Sequence, residues 1–282
     1  MSQNSNSRRI CYDGVVIING KKITEELIER LQKERDTLPH QPRIGIVVGS
    51  EDVVTASYVA IKERLAKRLG VVVVRETLVA GTTLERVVVM VQQLCRTCDG
   101  VLVQLPLPKT MDMDRVLAAI DPARDIDAIN PMVKEFERVV NAPVVEAIAK
   151  IFDEVNADVR GKKAVVVGAG RLVGLPAAVY LRSRGAKVTV VTKSQGSFDD
   201  LKDADIVVLG AGEPGLVVPS MLKEGVILID GGTSESGGKV VGDADPACAD
   251  IASVFTPVPG GLGPIAVAMV FQNLFELAKH HR

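Results

Sequence analysis

Histidine is almost absent from this chain: among 282 residues only His40, His280 and His281 carry an imidazole. His40 lies in the loop Pro39-His40-Gln41-Pro42, and the other two sit at the end of the sequence. A Ser-His-Asp triad, an imidazole zinc site or a histidine-based dehydrogenase is hard to build from those positions. Cysteine is nearly as scarce. Cys11, Cys95, Cys98 and Cys248 include one C-x-x-C, with no second pair to complete a tetrahedral metal site. That pair closes a helical pattern and precedes the turn Asp99-Gly100, so it reads as structural rather than redox-active. Excess charge is missing too: 34 basic residues against 35 acidic ones leave no broad field for nucleic acid or an anionic membrane. No apolar run approaches the roughly 18 residues of a membrane span. The opening from Met1 to Arg9 is polar and lacks the apolar core of a secretion signal. It is expected to be a frayed tail on a cytoplasmic protein.

What is present suits a globular fold. Hydrophobic residues make up 47% of the chain, and its length carries a prior of two domains. Strand and helix patterns alternate, which predicts an α/β protein with largely parallel sheets. In the first half, Ile44 to Val48, Val71 to Val74 and Val101 to Leu105 read as strands. Thr55 to Leu69 and Leu84 to Leu94 read as the helices between them. Pro143 opens a helix to about Val155, and the turn residues around it mark the domain connection. In the second half, Lys163 to Val167, Lys187 to Val191, Asp205 to Leu209 and Val226 to Ile229 repeat the rhythm of a Rossmann-like sheet. The final helix, Gly263 to Ala278, is expected to return to the first domain. The expected division is therefore 1–142 plus 264–282 for an N-terminal α/β domain and 143–263 for a Rossmann-like domain, with a cleft between them.

Several segments carry chemistry. Gly168-Ala169-Gly170-Arg171-Leu172-Val173-Gly174 follows a strand and opens a helix, where backbone N–H groups can approach a pyrophosphate. The spacing is one residue longer than the usual dinucleotide fingerprint. After the next strand, Thr192-Lys193-Ser194 offers a cation and two hydroxyls instead of an acid, which suits a 2′-phosphate and favours NADP over NAD. Tyr58 and Lys62 are one helical turn apart and share a face. Burial of Lys62 would bring its pKa from about 10.4 toward neutrality and let it move protons. Short-chain dehydrogenases share the Y-x-x-x-K spacing, but there the glycine loop precedes the pair, and here Lys62 precedes Gly168. Gln104-Leu105-Pro106-Leu107-Pro108 ends a strand in a stiff bend. Asp121, Asp125 and Asp127 cluster within seven residues, and Thr256 to Pro264 is a run rich in proline and glycine.

Ser57-Tyr58-Val59-x-x-Lys62, Val103-Gln104-Leu105-Pro106-Leu107-Pro108, the glycine loop and Thr256-Pro-Val-Pro259-Gly260-Gly261-Leu-Gly263-Pro264 occur here in series. In this order the chain resembles the methylenetetrahydrofolate dehydrogenase/cyclohydrolase (FolD) family from about Ile18 to the last helix. The resemblance implies a multifunctional enzyme of one-carbon metabolism and purine biosynthesis. Such an enzyme oxidises 5,10-methylenetetrahydrofolate with NADP, NAD being the alternative, and hydrolyses the methenyl product to 10-formyltetrahydrofolate. It implies Lys62 as the central catalytic residue, tuned by Gln104, with Tyr58 stacking on the folate and Asp127 receiving the pterin N–H groups. Pro259, Gly260 and Gly261 would line the folate site. Gly168, Ala169, Gly170, Arg171, Val173, Gly174, Lys193 and Ser194 would hold the nucleotide. A homodimer is implied; no metal, nucleic-acid or membrane partner is.

The departures from the family leave Lys62, Gln104 and Asp127 in place and alter the dinucleotide side. Ala169-Gly170 replace the family's Arg-Ser, leaving Lys193 and Arg171 to meet a 2′-phosphate. Asp-x-Asp-Gly becomes Asp125-Ile126-Asp127-Ala128. The family's Pro-Cys-Thr-Pro reads Val140-Asn141-Ala142-Pro143, and Met-Thr after Pro264 reads Ile265-Ala266. Two alternatives stand beside the bifunctional reading: a cyclohydrolase with weak or lost dehydrogenase activity, and a folate- or nucleotide-binding protein without turnover.

Overall fold

Short β-branched runs become most of the strands of two largely parallel sheets in a computed structural model that describes residues 8–12, 14–49, 53–134 and 137–280. In chain order the first elements are β1 (Arg9–Tyr12), β2 (Val15–Ile18), α1 (Gly20–Arg35), β3 (Arg43–Val48), α2 (Val53–Arg68) and β4 (Val72–Thr77). Then come α3 (Leu84–Thr97), β5 (Gly100–Gln104), α4 (Met113–Leu117), α5 (Pro143–Val155), β6 (Lys163–Val167), α6 (Gly174–Ser183) and β7 (Lys187–Val191). The last are β8 (Ile206–Leu209), β9 (Ile227–Asp230), β10 (Ser234–Ser236), β11 (Lys239–Val241), β12 (Val254–Phe255) and α7 (Leu262–Ala278).

The chain divides into two compact units, Met1–Glu26 with Val144–Ala266, and Leu27–Pro143 with Val267–Arg282. The second carries a three-stranded sheet of order β4-β3-β5, parallel throughout. All of β5 and all of β3 beyond Arg43 are buried, as expected for parallel strands covered on both faces. Helix α3 shows how one cover forms. Val87, Val91, Leu94 and Cys95 recur at helical spacing and are buried, and Thr83 caps the helix by accepting from Arg86 N. Cys95 and Cys98 are unbridged and buried at the end of this helix, and burial raises both thiol pKa values, in keeping with structural cysteines. Helix α7 belongs mainly to this unit, where Asn273 donates to the carbonyls of Ile126 and Asn141.

The other unit holds a seven-stranded sheet of order β1-β2-β12-β9-β8-β6-β7. Every pairing is parallel except β1 with β2. Strands β7 and β8 flank β6, so the chain leaves β6 to one side and later returns on the other. A ligand crevice forms at such a reversal, beyond the carboxyl ends of the strands.

The N-terminus differs from expectation. The first domain was expected to hold residues 1–142, but the described residues up to Glu26 join the Rossmann-like unit. The reason is strand pairing: β2 adds in parallel to β12, and β1 folds back on β2. Residues 1–7 of the expected frayed tail lie outside the described residues. Arg8 and Arg9 do not fray: Arg9 opens β1, and the Arg8 guanidinium pairs with Glu26 and, at 3.0 Å, with Glu154. The other two cuts fall after Pro143 and after Ala266, one and three residues from the expected boundaries.

Candidate active site

Along α2, Thr55, Val59, Lys62 and Ala66 recur on one face, and all four are buried. Lys62 therefore occupies a core-facing position, with only 9% of its surface exposed. A lysine there needs a partner, and β5 supplies one. Gln104, the last residue of that buried strand, accepts a hydrogen bond from Lys62 Nζ at 2.7 Å through Oε1. Its own amide is fixed by donating to the Leu105 carbonyl at 3.0 Å. The amide orientation is thus set, and an acceptor faces the lysine. Burial pulls the Lys62 pKa below the ordinary lysine value, and the Asp127 carboxylate opposes that shift. Burial raises the Asp127 pKa in turn, and Lys62 opposes it. Tyr58 stands one turn before Lys62 on α2 and is half-buried.

The acidic cluster separates into different tasks. Asp121 caps a short turn by accepting from Ala123 N at 2.9 Å. Asp125 is buried and accepts from the backbone N–H groups of Ile129 and Asn130 at 2.8 and 2.7 Å, both through Oδ2. Its Oδ1 has no hydrogen-bond partner among the described residues. Burial pushes the Asp125 pKa up to about 6, against the pull of those N–H groups. Asp127 is the member of the cluster that shares a field with Lys62. Between it and Ile129 the chain passes through a left-handed residue, Ala128 at φ 53°. Only a residue without a Cβ takes that conformation at little cost.

The glycine loop lies in the other unit, at the end of β6. Gly168 adopts φ 95° and donates its N–H to the Val191 carbonyl at 2.8 Å. A Cβ on Gly168 would lie 2.5 Å from the Gly210 carbonyl oxygen, and one on Gly174 would strike the Gly168 carbonyl. Glycine is required at both positions by backbone approach. Ala169 and Gly170 are exposed, Arg171 and Val173 are half-buried, and Gly174 begins α6. Beyond β7 the turn is tied by Thr192 N donating to the Gln195 carbonyl at 2.7 Å and by Ser194 N donating to Thr192 Oγ1 at 3.3 Å. Lys193 and Ser194 lie in this turn, two and three residues beyond Val191, whose carbonyl Gly168 holds. The Lys193 ammonium forms an ion pair at 3.0 Å with Glu213, beyond β8.

The sequence reading missed two aspartates that hold this edge together. Asp243, fully buried, accepts from the backbone N–H groups of Ala211, Gly212 and Glu213 at 2.7, 3.1 and 2.8 Å. Asp230 accepts from Gly232, Asp243 and Ala244 N–H at 2.9, 3.3 and 2.9 Å. Burial nevertheless raises its pKa to about 6. Gly232 and Gly242 let these carboxylates approach, since a Cβ at either would collide with one of them. Asp230-Gly-Gly232 and Gly242-Asp243 were the available signal, an acid beside glycine where a strand ends. In the same unit, Pro259, Gly260 and Gly261 lie between β12 and α7. There the Gly260 carbonyl accepts from Gly20 N at 2.9 Å, and Gly261 N donates to the Pro257 carbonyl at 2.7 Å.

Comparison with known proteins agrees with both halves. The family model for the tetrahydrofolate dehydrogenase/cyclohydrolase catalytic domain matches residues 18–127, and the model for the NAD(P)-binding domain of that family matches residues 142–282. The bifunctional protein FolD of a Nitratiruptor species is 33% identical over 280 residues, covering 94% of this chain and 99% of the relative. The crystal structure of the bifunctional FolD enzyme from Campylobacter jejuni superposes with a TM-score of 0.88 at 27% identity, covering 94% of this chain and 99% of that one. A Trypanosoma brucei FolD, solved with NADP cofactor and an inhibitor, gives a TM-score of 0.87 at 29% identity, with 94% and 98% covered. With both domain models matched in order along most of its length, the chain belongs to the tetrahydrofolate dehydrogenase/cyclohydrolase family.

Proposed function

We propose that this protein oxidises 5,10-methylenetetrahydrofolate to the 5,10-methenyl compound with NADP and hydrolyses that product to 10-formyltetrahydrofolate. The observation that carries this reading is the buried Lys62–Gln104 pair with Asp127 in its field. A lysine held at a core-facing position, with its pKa lowered by burial, gives up its proton more readily than an exposed one and can exchange protons there. In the hydrolysis, water adds to the carbon between N5 and N10 of the methenyl cation, and Lys62 Nζ takes a proton from it. The resulting ammonium returns a proton to N5 as the carbon–N5 bond breaks. The second proton of the water goes to solvent, and the carbon becomes the formyl group on N10. Gln104 keeps Nζ aimed by accepting one of its N–H bonds. Asp127 accepts N–H donors of the pterin, and Tyr58 packs on its ring.

The nucleotide fits the loop at Gly168–Gly174, where close backbone approach excludes side chains and N–H groups open α6. NADP, when bound, supplies the hydride acceptor. Gly168, Ala169, Gly170, Arg171, Val173 and Gly174 would hold its pyrophosphate, and Lys193 and Ser194 its ribose. Pro259, Gly260 and Gly261 would hold the folate by backbone groups. The family supports a cytoplasmic location and a supply of formyl groups to purine synthesis. A homodimer is supported by Leu172, Leu175 and Val179, apolar side chains spaced along α6 and its entry that are 43%, 50% and 37% exposed. Sedimentation of Leu175→Lys beside the wild type tests it: a dimer that the lysine dissociates is expected, and a monomeric wild type removes it.

The reaction is tested by supplying methylenetetrahydrofolate with each nucleotide and following methenyl and reduced-nicotinamide absorbance, with preformed methenyltetrahydrofolate in parallel. Nucleotide reduction and methenyl consumption are both expected, the latter lost in Lys62→Met with folate binding retained. Unchanged hydrolysis in Lys62→Met would sink the assignment. Methenyl consumption without nucleotide reduction would leave the hydrolase alone.

A further inference from the structure

The Lys193–Glu213 ion pair crosses the end of a strand. Lys193 follows β7 and Glu213 follows β8, while β6 runs between those two strands and leads into Gly168. A 3.0 Å contact between the flanking loops must therefore span the start of the glycine loop. Glu213 is not a drifting surface acid. Its own N–H is held by Asp243 at 2.8 Å, together with the N–H groups of Ala211 and Gly212. The backbone that presents the carboxylate is thus anchored to a buried group.

We propose that Glu213 is a specificity-determining residue that weakens selection for the 2′-phosphate of NADP by holding Lys193. The proposal rests on the nucleotide place assigned above. The end of the strand following the glycine loop is where a dinucleotide fold meets the adenosine ribose, with an acid reading a 2′-hydroxyl or a cation a 2′-phosphate. Here the cation is present but its charge is already met by a carboxylate. A 2′-phosphate must displace Glu213 from Lys193 and lie near its negative charge, whereas a 2′-hydroxyl must do neither. The discrimination between the two nucleotides is therefore compressed. Because Lys193 and Glu213 are both exposed, the effect is modest and weakens with added salt.

The test measures binding of two probes to the full chain by titration calorimetry: 2′-phospho-ADP-ribose and ADP-ribose. In Glu213→Gln the dissociation constant for the phosphorylated probe should fall about two- to fivefold, with ADP-ribose unchanged. Glu213→Lys should take the gain past about tenfold. In a Lys193→Met background, Glu213→Gln should have no selective effect. An equal response of both probes, no response, a selective gain that persists without Lys193, or no binding of either probe overturns the proposal. Turnover is read separately. Nucleotide reduction by the wild type with no selective change at Glu213 removes this inference alone. Failure to reduce either nucleotide removes the dehydrogenase reading, while the titration still reports on Glu213.

Discussion

Asn273 of the last helix donates to the carbonyl of Ile126, the residue immediately before Asp127, at 2.9 Å, and to Asn141 O at 2.8 Å. One buried amide thus ties the segment bearing the candidate pterin acceptor to a helix 147 residues away. Asn273→Ala leaves both carbonyls short of a donor in a site only 4% exposed. A loss of about 1–3 kcal/mol in unfolding free energy, read from the denaturant midpoint, is expected. The KM for folate should rise with it, because Asp127 loses its support. Normal stability and KM would show that the contact does not position Asp127.

The Lys62 pKa is lowered by burial and held up in part by Asp127. Hydrolysis at saturating folate should therefore climb with pH on a limb below the ordinary lysine value of about 10.4. In Asp127→Asn the opposing carboxylate is gone, and that limb should move to lower pH. A kcat–pH profile of both proteins checks the direction. A limb that stays in place would place the titration elsewhere.

Asp125 has a folded-state pKa of about 6 against an ordinary 3.8. The folded protein thus holds the proton more tightly between those values, and stability should fall as pH rises through that window, levelling above about 6. The difference in proton affinity between the folded and unfolded chain makes that fall on the order of 2–3 kcal/mol. Asp125→Asn retains one oxygen for both the Ile129 and Asn130 N–H groups. It should flatten part of the slope and raise stability at pH 8. Urea midpoints across pH 4–8 measure it, and a slope unchanged by the substitution would assign it to other groups, Asp230 among them. Ala128→Gly, in the neighbouring left-handed position, should add about 0.5–1 kcal/mol at every pH.

Much of this was legible in sequence, for a physical reason. Strands buried on both faces must be apolar and end at glycine or a polar residue, so Lys163–Val167 was found at its observed bounds. Lys187–Val191, an edge strand with Lys187 and Thr189 exposed, was found through its β-branched run. Pro143–Val155 announced itself through proline at its first turn. The resemblance supplied Lys62, Gln104 and Asp127, and the helical period put Tyr58 and Lys62 on one face of α2, while the burial of that face at Lys62 came from the structure. The segment β1–β2–α1 was not found, because a four-residue strand with partly exposed side chains carries little periodicity and its parallel partner, β12, is only two residues long. Asp230 and Asp243 were missed because their work is to hold backbone N–H groups, which leaves no spacing rule along the chain. Glu213 lacked any local signal, since its partner is set by strand order.

The glycine loop separates the two activities experimentally. A Cβ at Gly174 meets a backbone carbonyl, so the loop itself must move. Gly174→Ala should lower nucleotide reduction by about tenfold or more, with methenyl hydrolysis within about twofold of wild type. Equal loss of both would mean that the damage spreads beyond the loop, and the circular dichroism melt would then fall as well.

The pairing of β2 with β12 has a consequence for how this protein can be made. Each unit is assembled from two stretches of chain that interleave, and strands on either side of residues 27–143 must meet to finish one of the sheets. During synthesis the early β2 ribbon waits for β12, and the three-stranded sheet waits for α7, more than 150 residues downstream of β5. Contacts of such sequence separation form late and slowly. No single cut divides the chain into two pieces that each keep a complete core. Expression of the two halves separately should yield insoluble fragments, and a C-terminal truncation through α7 should cripple a unit whose sheet is wholly upstream of the deletion.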